Sequence, residues 1–399
     1  MIEPLYITGA GIVSSIGVGK EETLTSLLTG KTGIGQIQYL QSRHKELPVG
    51  EVKLSNSEIF QMLGIKSNPS LSRTALLGQI ALREALEQSR LAGEDLKKVH
   101  FISSTTVAGM DRRELYFSEE KTCDKYHAQI ATYNCGDCTR MIAEPFGSFA
   151  SHSTVSTACS SATNAIITGA NMIRSGLADV VVVGGSECLS KFHLNGFNSL
   201  MILDREQCRP FDRDRVGLNL GEGAAYLVLE SSKSVEARGI KPIGRLLGYG
   251  NACDAYHQTA SSPDGEGAFL AMSEALKTAG LNPEDIQYIN AHGTGTPNND
   301  ESECRAIKRM FGSHVPLVSS TKSFTGHTTS ASGSIEAVIC LLAIAHQFVP
   351  VNLNWSTPMD DGIIPVTDLH QQAELRNILS NAFSFGGNDS ALIFTKTDD

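Results

Sequence analysis

The segment Ala81-Leu82-Arg83-Glu84-Ala85-Leu86 recurs further along the chain as Ala271-Met272-Ser273-Glu274-Ala275-Leu276. Each copy is followed by a leucine, an acidic pair and a short strand that we expect to be buried, at residues 99–102 in the first copy and 287–290 in the second. Helix, turn, acidic pair and strand keep the same register in both copies. This constant spacing indicates an internal duplication, so we predict that the chain folds as two similar halves.

A run of valines between the two copies, Asp179-Val180-Val181-Val182-Val183-Gly184-Gly185, is apolar without alternation. Such a run is typical of a parallel strand that is covered on both faces. Strands that alternate with helices form parallel sheets through right-handed crossovers. We therefore predict an α/β fold with five layers, αβαβα, in which the strand ends of two duplicated halves share a cleft. The polar residues 233–243 mark the junction, which places the halves at residues 1–240 and 241–399.

The overall composition disfavours several kinds of partner. The chain has 399 residues and a formal net charge of −10, which argues against nucleic acid and anionic membranes. Its first residues hold no basic region, and the longest apolar stretch, 337–345, is shorter than a membrane span of about 20 residues. The nine cysteines are odd in number and irregularly spaced, which indicates reduced thiols. We expect a soluble, cytoplasmic protein.

Two short motifs are weak signals for a cofactor or a metal. Gly9-Ala10-Gly11-Ile12-Val13-Ser14 follows the short predicted strand 5–8, but Ser14 replaces the third glycine of a dinucleotide-binding loop. No acidic residue closes a βαβ unit at the required distance, so we expect no nicotinamide cofactor. Cys135 and Cys138 form a C-x-x-C without a second pair or nearby histidines. A turn with two ordinary cysteines explains them better than zinc, and we expect no metal site.

One cysteine stands at a strand-to-helix transition, in Val155-Ser156-Thr157-Ala158-Cys159-Ser160-Ser161-Ala162. The unpaired N–H groups and the dipole of a helix N-terminus favour thiolate over thiol, so Cys159 is the candidate nucleophile. We expect iodoacetamide at near-neutral pH to modify it faster than the other eight cysteines. The helix that follows, 160–174, carries small and apolar residues on most faces and is expected to be buried all round. The alternative is that Cys159 is an ordinary core cysteine.

Two histidine motifs follow predicted strands of the second half. They are Asn290-Ala291-His292-Gly293-Thr294-Gly295-Thr296-Pro297 and Ser320-Thr321-Lys322-Ser323-Phe324-Thr325-Gly326-His327. Each motif places a histidine beside glycine just past a buried strand, where the ligand sites of α/β sheets collect. His292 and His327 are therefore candidate catalytic residues. The alternatives are two structural histidines, or a metal pair for which the sequence supplies no third ligand nearby.

Together these motifs resemble those of the β-ketoacyl-[acyl carrier protein] synthases, in the elongating Cys-His-His branch of the thiolase-fold condensing enzymes. The shared motifs are T-A-C-S-S around Cys159, N-A-H-G-T-G-T-P around His292, and S-T-K-S and T-G-H around Lys322 and His327. Further matching segments are 209–212, 221–224, 254–257 and 381–387. The resemblance covers nearly the whole chain and implies a thiolase-like fold, with the nucleophile in the first half and both histidines in the second.

The resemblance also implies a reaction and a set of roles. An acyl chain held as a thioester on Cys159 condenses with malonyl-[acyl carrier protein] after loss of carbon dioxide. Neutral His292 and His327 donate ring N–H groups to the enolate that forms. The resemblance implies that Lys322 acts electrostatically and that Glu336 orients Lys322 or His327. The backbone N–H groups of Cys159 and Phe385 would form the oxyanion hole, and the Phe385 side chain would gate the site. Thr294 and Thr296 would bind pantetheine, and Val107 would close the floor of the acyl pocket.

Three segments depart from the family pattern. They are Thr328-Thr329-Ser330-Ala331-Ser332-Gly333 after the second histidine, Gly386-Gly387-Asn388-Asp389 near the carboxyl terminus, and residues 122–146, which include Cys123. These departures leave the condensation chemistry intact but leave two pathways open, fatty acid elongation and a specialised route to polyene or polyketide-type chains. A degradative thiolase is disfavoured because residues 383–390 lack a second cysteine. A non-enzymatic subunit of the chain-length-factor kind is disfavoured because Cys159 is present.

The resemblance implies partners as well. Acyl carrier protein brings both substrates on phosphopantetheine, so no separate cofactor is expected. Because the carrier is acidic, we predict a local basic patch made of Lys66 and Arg73, with Arg205 and Arg209 as second choices. A homodimer is expected, since the family's acyl pocket reaches the partner subunit and the valine strand 179–185 is apolar enough to lie near a large interface.

Overall fold

The computed structural model describes residues 4–120, 126–130 and 133–397. The departing segment around Cys123 therefore lies partly outside the described residues, Cys123 included.

Within the described residues, the first half of the chain supplies six strands and eight helices, followed by a short helix before the second half. Its strands are β1 (Leu5–Ser14), β2 (Gly17–Val18), β3 (His100–Ser104), β4 (Ser151–Val155), β5 (Val180–Glu187) and β6 (Gly223–Ser231). Its helices are α1 (Lys20–Thr29), α2 (Asn56–Leu63), α3 (Arg73–Ser89), α4 (Met110–Glu120), α5 (His127–Ile130), α6 (Cys135–Ala143), α7 (Ser161–Arg174), α8 (Lys191–Ser199) and α9 (Ser232–Arg238).

The second half supplies the remaining elements. Its strands are β7 (Gly244–Cys253), β8 (Tyr288–Asn290), β9 (Leu317–Ser319), β10 (Phe348–Val349), β11 (His370–Gln371), β12 (Asn377–Ala382) and β13 (Asn388–Thr395). Its helices are α10 (Glu266–Ala279), α11 (Pro297–Phe311), α12 (Lys322–Thr325) and α13 (Ser332–His346).

The strand order confirms the predicted duplication. In the first half the order from the outer edge is β4-β3-β5-β6-β1, and in the second half it is β9-β8-β12-β13-β7. In both halves the three outer strands run parallel and the two inner ones antiparallel. The halves meet where Leu5–Ile7 of β1 pairs with β7. The sheet is therefore mixed, which corrects the expectation of wholly parallel sheets.

The duplication extends to the contact between strand and helix. A Cβ atom on Gly9 or Gly11 of β1 would lie 2.3 or 2.0 Å from the carbonyl oxygens of Ala85 and Ala81 in α3. The same geometry recurs in β7, where the side-chain positions of residues 248 and 250 would meet the carbonyl oxygens of residues 275 and 271 at 2.3 and 2.1 Å. Only glycine allows so close an approach. The glycines that resembled a dinucleotide loop therefore lie within a long strand that packs on a helix.

The helices form the alternate layers of the fold. In the centre, α7 and α13 pack against each other, α7 on β5 and β3, and α13 on β12 and β6. On the outside, α3 packs on β1 and β6, and α10 packs on β7 and β13. This arrangement is the predicted five-layered αβαβα body.

One expectation about burial is wrong, and another loses its argument. The valine strand β5 is buried along its whole length between β3 and β6 of its own chain, so its apolar character needs no subunit interface to explain it. Helix α7 is not buried all round, because Thr168 and Asn171 are exposed. One edge of the sheet is β4, where His152 and Ser153 are exposed.

One helical stretch, Thr329–His346, has the length and apolar composition of a membrane span. It is 89% buried inside the fold. It is therefore the central core helix α13 with the turn before it, since core helices are apolar on all faces.

Arg73 is a structural residue, which contradicts its predicted place in a docking patch. Its guanidinium group donates to both carboxylate oxygens of Glu222 at 2.7–3.0 Å, and also to Asn56 and to the carbonyl of Val52. Glu222 itself is fully buried and also accepts the backbone N–H groups of Val52 and Leu189. By contrast, Lys66 is exposed and stays a candidate for docking.

We expect Arg73→Met to destabilise the fold by about 3–5 kcal/mol, because the substitution leaves the buried carboxylate of Glu222 without its partner. Urea denaturation measures the free energy of unfolding. Lys66→Met is the control and should change it by less than about 0.5 kcal/mol. Equal effects of the two substitutions would contradict the structural role of Arg73.

Candidate active site

Residues that follow four strand ends meet at one cavity. Cys159 follows β4, His292 follows β8, Lys322 and His327 follow β9, and Phe385 follows β12. The cavity has a volume of about 230 Å³. Its walls include Cys159, Phe197, Ile202, Leu218, His292, Thr294, Thr296, His327, Phe383 and Phe385. The structure thus brings the predicted nucleophile and both histidines to one place, with Lys322 directly behind His292.

A strained turn presents Cys159. Ala158 has a φ of 53°, in the left-handed region that non-glycine residues rarely adopt. The Ser161 hydroxyl holds this turn, since it donates to the carbonyl of Ala158 at 2.5 Å and accepts the N–H of Thr157 at 2.8 Å. Helix α7 begins at Ser161. Cys159 therefore stands just before the helix rather than in its first turn.

The thiol of Cys159 is neutral in the resting site. Burial raises the pKa of Cys159 to about 11, although Lys322 and the backbone N–H of Phe385 act in the opposite direction. The expectation of a thiolate favoured by the helix N-terminus is therefore wrong, because desolvation outweighs the dipole. A base must remove the proton when the sulfur attacks.

His327 is in position to be that base. Its Nε2 lies 3.0 Å from Cys159 Sγ, and its Nδ1 lies 3.0 Å from the Ser332 hydroxyl. Its backbone is fixed as well, because its N–H donates to the carbonyl of Asn219 at 2.7 Å. Burial lowers the pKa of His327 well below its usual value, and the charge of Lys322 adds to this effect. The ring is therefore neutral.

His292 is held by a buried ion pair. Lys322 Nζ lies 2.5 Å from Glu336 Oε1 and 3.3 Å from His292 Nδ1. Because an ammonium group only donates, Nδ1 of His292 must accept, which assigns the ring proton to Nε2. Burial and Lys322 lower the pKa of His292 well below its usual value, so this ring is neutral too. Its centroid lies 5.4 Å from that of His327, with the two rings nearly perpendicular.

Glu303 supports the His292 loop from α11, and sequence reasoning missed it. Its carboxylate accepts the backbone N–H of His292 at 2.8 Å and that of Gly293 at 2.7 Å. The side-chain amide of Asn381 donates to the same carboxylate at 3.1 Å. Burial raises the pKa of Glu303 to about 7. The only signal in the sequence was an acidic residue on the apolar side of a helix.

The predicted binding residues Thr294, Thr296 and Phe385 line the cavity. The hydroxyls of Thr294 and Thr296 are 2.8 Å apart, and both residues line the wall. The half-buried ring of Phe385 stacks on Phe197, with centroids 5.9 Å apart. Aromatic rings at this spacing can move apart without breaking a hydrogen bond, as a gate requires.

Val107 does not line this cavity within one chain. It is buried, and its backbone N–H lies 3.4 Å from a carboxylate oxygen of Glu187. Glu187 is itself buried and accepts the hydroxyls of Thr105, Thr106 and Ser330 at 2.5–2.7 Å. Sequence reasoning missed this carboxylate, which ties the loop after β3 to the segment after His327.

Metal binding finds no support in the arrangement of side chains. Within the part of the chain that the structure describes, no three His, Cys, Asp or Glu side chains are grouped to hold a metal ion. Cys135 and Cys138 belong to the first turn of α6, where Cys138 is buried.

Comparison with known proteins shows which family the chain matches. Residues 3–234 match the family described as β-ketoacyl synthase, N-terminal domain, and residues 243–356 match the corresponding C-terminal domain. A 3-oxoacyl-[acyl-carrier-protein] synthase 2 from Synechocystis sp. is 34% identical, with 98% of each chain covered.

Solved structures share the fold over the whole chain. The ishigamide ketosynthase/chain length factor matches with a TM-score of 0.93 and 30% identity, and both chains are covered completely. A type II polyketide synthase ketosynthase, solved in complex with its acyl carrier protein and bound to the hexaketide, matches with a TM-score of 0.86 and 25% identity over 100% of both chains.

The burial of Cys159 predicts how alkylation depends on pH. Below a pKa of about 11, the thiolate fraction grows about tenfold per pH unit, so iodoacetamide should modify Cys159 about tenfold faster per unit between pH 7 and 9. Peptide mapping over time measures the rate, and the exposed Cys253 is an internal reference. Contrary to the expectation from the sequence, we expect Cys253 to react before Cys159 at pH 7, because Cys159 is buried and protonated. A Cys159 rate that levels off below pH 8 would show a preformed thiolate.

Proposed function

The chain belongs to the β-ketoacyl synthase family, and from this premise we propose how its residues carry out condensation. It is an acyltransferase that makes a β-ketoacyl-[acyl carrier protein] by decarboxylative Claisen condensation, the reaction of fatty acid elongation. One observation supports the assignment of residues above all. Cys159 Sγ lies 3.0 Å from His327 Nε2, and a second neutral histidine, His292, lies beside them and is held by Lys322.

The first half-reaction loads the acyl chain. The sulfur of Cys159 attacks the thioester carbonyl and gives its proton to His327, which then returns a proton to the departing pantetheine thiol. The backbone N–H groups of Cys159 and Phe385 hydrogen-bond the sulfur and lower its pKa, which supports our proposal that they hold the oxyanion of the tetrahedral intermediate. Exchange of one thioester for another is nearly isoenergetic, so loading is reversible.

The second half-reaction releases carbon dioxide and joins the two carbon units. Loss of the malonyl carboxylate leaves negative charge on the thioester oxygen, and the Nε2–H groups of His292 and His327 stabilise it. The enolate carbon then attacks the acyl carbonyl on Cys159, the bond between that carbon and the Cys159 sulfur breaks, and the released thiolate takes up a proton from solvent. Lys322 holds His292 in the donating tautomer, and Glu336 compensates the charge of Lys322 so that the pair can stay buried.

We further propose that acyl carrier protein delivers both substrates to the cavity at Thr294, Thr296 and Phe385. Phosphopantetheine on the carrier would bind the two threonine hydroxyls, and the enzyme would need no cofactor of its own. Of the predicted docking residues, Lys66 and Arg205 are exposed, whereas Arg209 is half-buried and bound to Glu206 at 2.5 Å. A chain with net charge −10 in the cytoplasm would rely on such local cations to meet an acidic carrier.

A specialised ketosynthase of polyene or polyketide type is the second candidate function. The similarity to the ishigamide ketosynthase/chain length factor, at 30% identity and a TM-score of 0.93, favours it. In this case the partner of the chain would be a related subunit rather than a second copy. The hydroxyl-rich segment 328–333 beside the site separates this chain from the elongation pattern.

We also propose a dimer, on the basis of an uncovered sheet edge rather than of the apolar valine strand. The strand β4 forms one edge of the large sheet, and within the described residues no backbone hydrogen bond pairs its outer side. At the opposite edge, the N–H of Val366 donates to the carbonyl of Val318 in β9 and covers that strand. An uncovered edge strand is suited to pairing with another subunit. We propose a homodimer that joins two copies of β4.

The proposed function is tested by intact-mass measurement after incubation with a panel of acyl-carrier thioesters. Each accepted chain should add its acyl mass to the protein, and Cys159→Ala should abolish the addition. The panel also separates the two candidate pathways, because saturated chains should load in elongation and polyene chains in the specialised route. Failure of every thioester to load Cys159 would refute both.

Substitution of His292 should separate the half-reactions. We expect His292→Ala to lower malonyl decarboxylation by about 100-fold or more, because it removes an N–H donor from the enolate, and to change loading of Cys159 by less than about fivefold. Labelled carbon dioxide reports the first reaction and intact mass the second. Equal losses would mean that His292 acts on the thiol.

The proposed dimer predicts a single species of twice the chain mass at micromolar concentration, measured by sedimentation. If β4 pairs with its copy, His152→Pro should shift the protein toward monomer, because the N–H of His152 faces the free edge and proline cannot donate to a strand partner. If the acyl pocket reaches across the dimer, Val107→Phe should shorten the longest chain that loads. A monomer in the unmodified protein would remove the basis for both expectations.

A further inference from the structure

The two active-site histidines differ in the partner of Nδ1. His292 Nδ1 faces the Lys322 ammonium group, 3.3 Å away, which can only donate a hydrogen bond. His327 Nδ1 faces the Ser332 hydroxyl, 3.0 Å away, which can donate or accept. The first histidine is therefore fixed in one tautomer, whereas hydrogen bonding allows the second to take either.

A second hydroxyl completes the His327 arrangement. Ser332 is the first residue of α13 and is 2% exposed, and its oxygen lies 3.2 Å from the Thr328 hydroxyl. When Ser332 donates to His327, it can accept from Thr328. When it accepts from His327, it can donate to Thr328. Both directions keep these buried groups satisfied, so neither is disfavoured by an unpaired polar atom.

The two half-reactions require opposite states of His327. During loading, Nε2 must carry a lone pair to accept the proton of the Cys159 thiol, so the ring proton sits on Nδ1. During decarboxylation, Nε2 must carry a proton to donate to the enolate, so Nδ1 must accept. A partner that only donates, such as the Lys322 ammonium group, would exclude the first state.

We propose that Ser332 is a positioning residue that lets His327 alternate between these tautomers, accepting from Nδ1–H during loading and donating to Nδ1 during decarboxylation. The proposal rests on the function given above and assigns a role to a hydroxyl in the segment that departs from the family pattern. The titratable groups that act on His327 are Cys159, Lys322 and His193.

The protons balance through the loading step. The Cys159 S–H bond breaks and its proton forms a bond to His327 Nε2, while the sulfur forms a bond to the acyl carbon. The bond between that carbon and the pantetheine sulfur then breaks, and the leaving thiolate takes the proton from Nε2. Before decarboxylation, the neutral ring loses its proton at Nδ1 and gains one at Nε2 by exchange with water in the cavity.

The test compares both half-reactions in Ser332→Ala and in the matched control Ser334→Ala. Ser334 is buried in the same helix turn, but its hydroxyl donates to the carbonyl of Ala331. We expect Ser332→Ala to slow loading by about 10- to 100-fold, because it removes the acceptor for the ring that gains charge, and to slow decarboxylation by less than about fivefold. The control should change neither.

The pH dependence of loading distinguishes a role of Ser332 in proton transfer from a purely structural role, because a structural defect would not change that dependence. Hydroxide can replace the weakened base, so Ser332→Ala should gain more from a rise in pH from 7 to 9 than the unmodified enzyme does. Thr328→Val, which removes the second hydroxyl, should show the same split with a smaller loss. This variant serves as the test if Ser332→Ala unfolds.

The outcomes separate this inference from the proposed function. If the unmodified enzyme loads Cys159 and releases carbon dioxide, the function stands. Equal losses in the two half-reactions, or an unchanged pH profile, would then overturn the role of Ser332 alone. An unmodified enzyme that neither loads nor decarboxylates would overturn both.

Discussion

Desolvation is the constraint on which the rest of the site depends. Lys322, Glu336, His292 and His327 are each at most 3% exposed, and a charge in such a place is tolerated only with a close partner. The ion pair between Lys322 and Glu336 meets that condition, which leaves both imidazoles neutral. The same burial keeps the nucleophilic sulfur protonated, so the site relies on short-range proton transfer rather than on a standing thiolate.

The duplicated architecture explains how these groups come together. The two innermost helices, α7 and α13, occupy equivalent places in the halves, and each begins just after an edge strand and an active-site loop. In the first half, the loop between the edge strand and the helix carries the nucleophile Cys159. In the second half, the equivalent loop carries Lys322 and His327. Their packing in the middle layer sets the distance between sulfur and imidazole, so catalysis depends on an interface between repeats rather than on one local motif.

The sequence predicts what is periodic or contiguous and misses what depends on distant contacts. The repeat around Ala81 and Ala271 revealed the fold, and the motifs around Cys159 and His292 marked the family, because each is a short run of residues. The pKa of Cys159 could not be predicted, since the residues that enclose it, from Phe197 to Phe385, lie far along the chain. Arg73 looked like a surface cation because its partner, Glu222, lies far along the chain. The role of Ser332 could not be predicted for a similar reason. The turn after His327 brings the Ser332 hydroxyl close to the imidazole, and the spacing of the two residues in the sequence does not reveal this.

The close approach of β1 to α3, and of β7 to α10, limits how far the two halves could drift apart after duplication. At Gly9, Gly11, Gly248 and Gly250 the atom that a side chain would strike is a helix carbonyl oxygen. No substitution in the helix removes that oxygen, so a change at these glycines cannot be compensated by a neighbour. Even in relatives whose surfaces, pockets and partners have diverged, we therefore expect glycine to remain at these four positions, where it still marks the ancestral duplication.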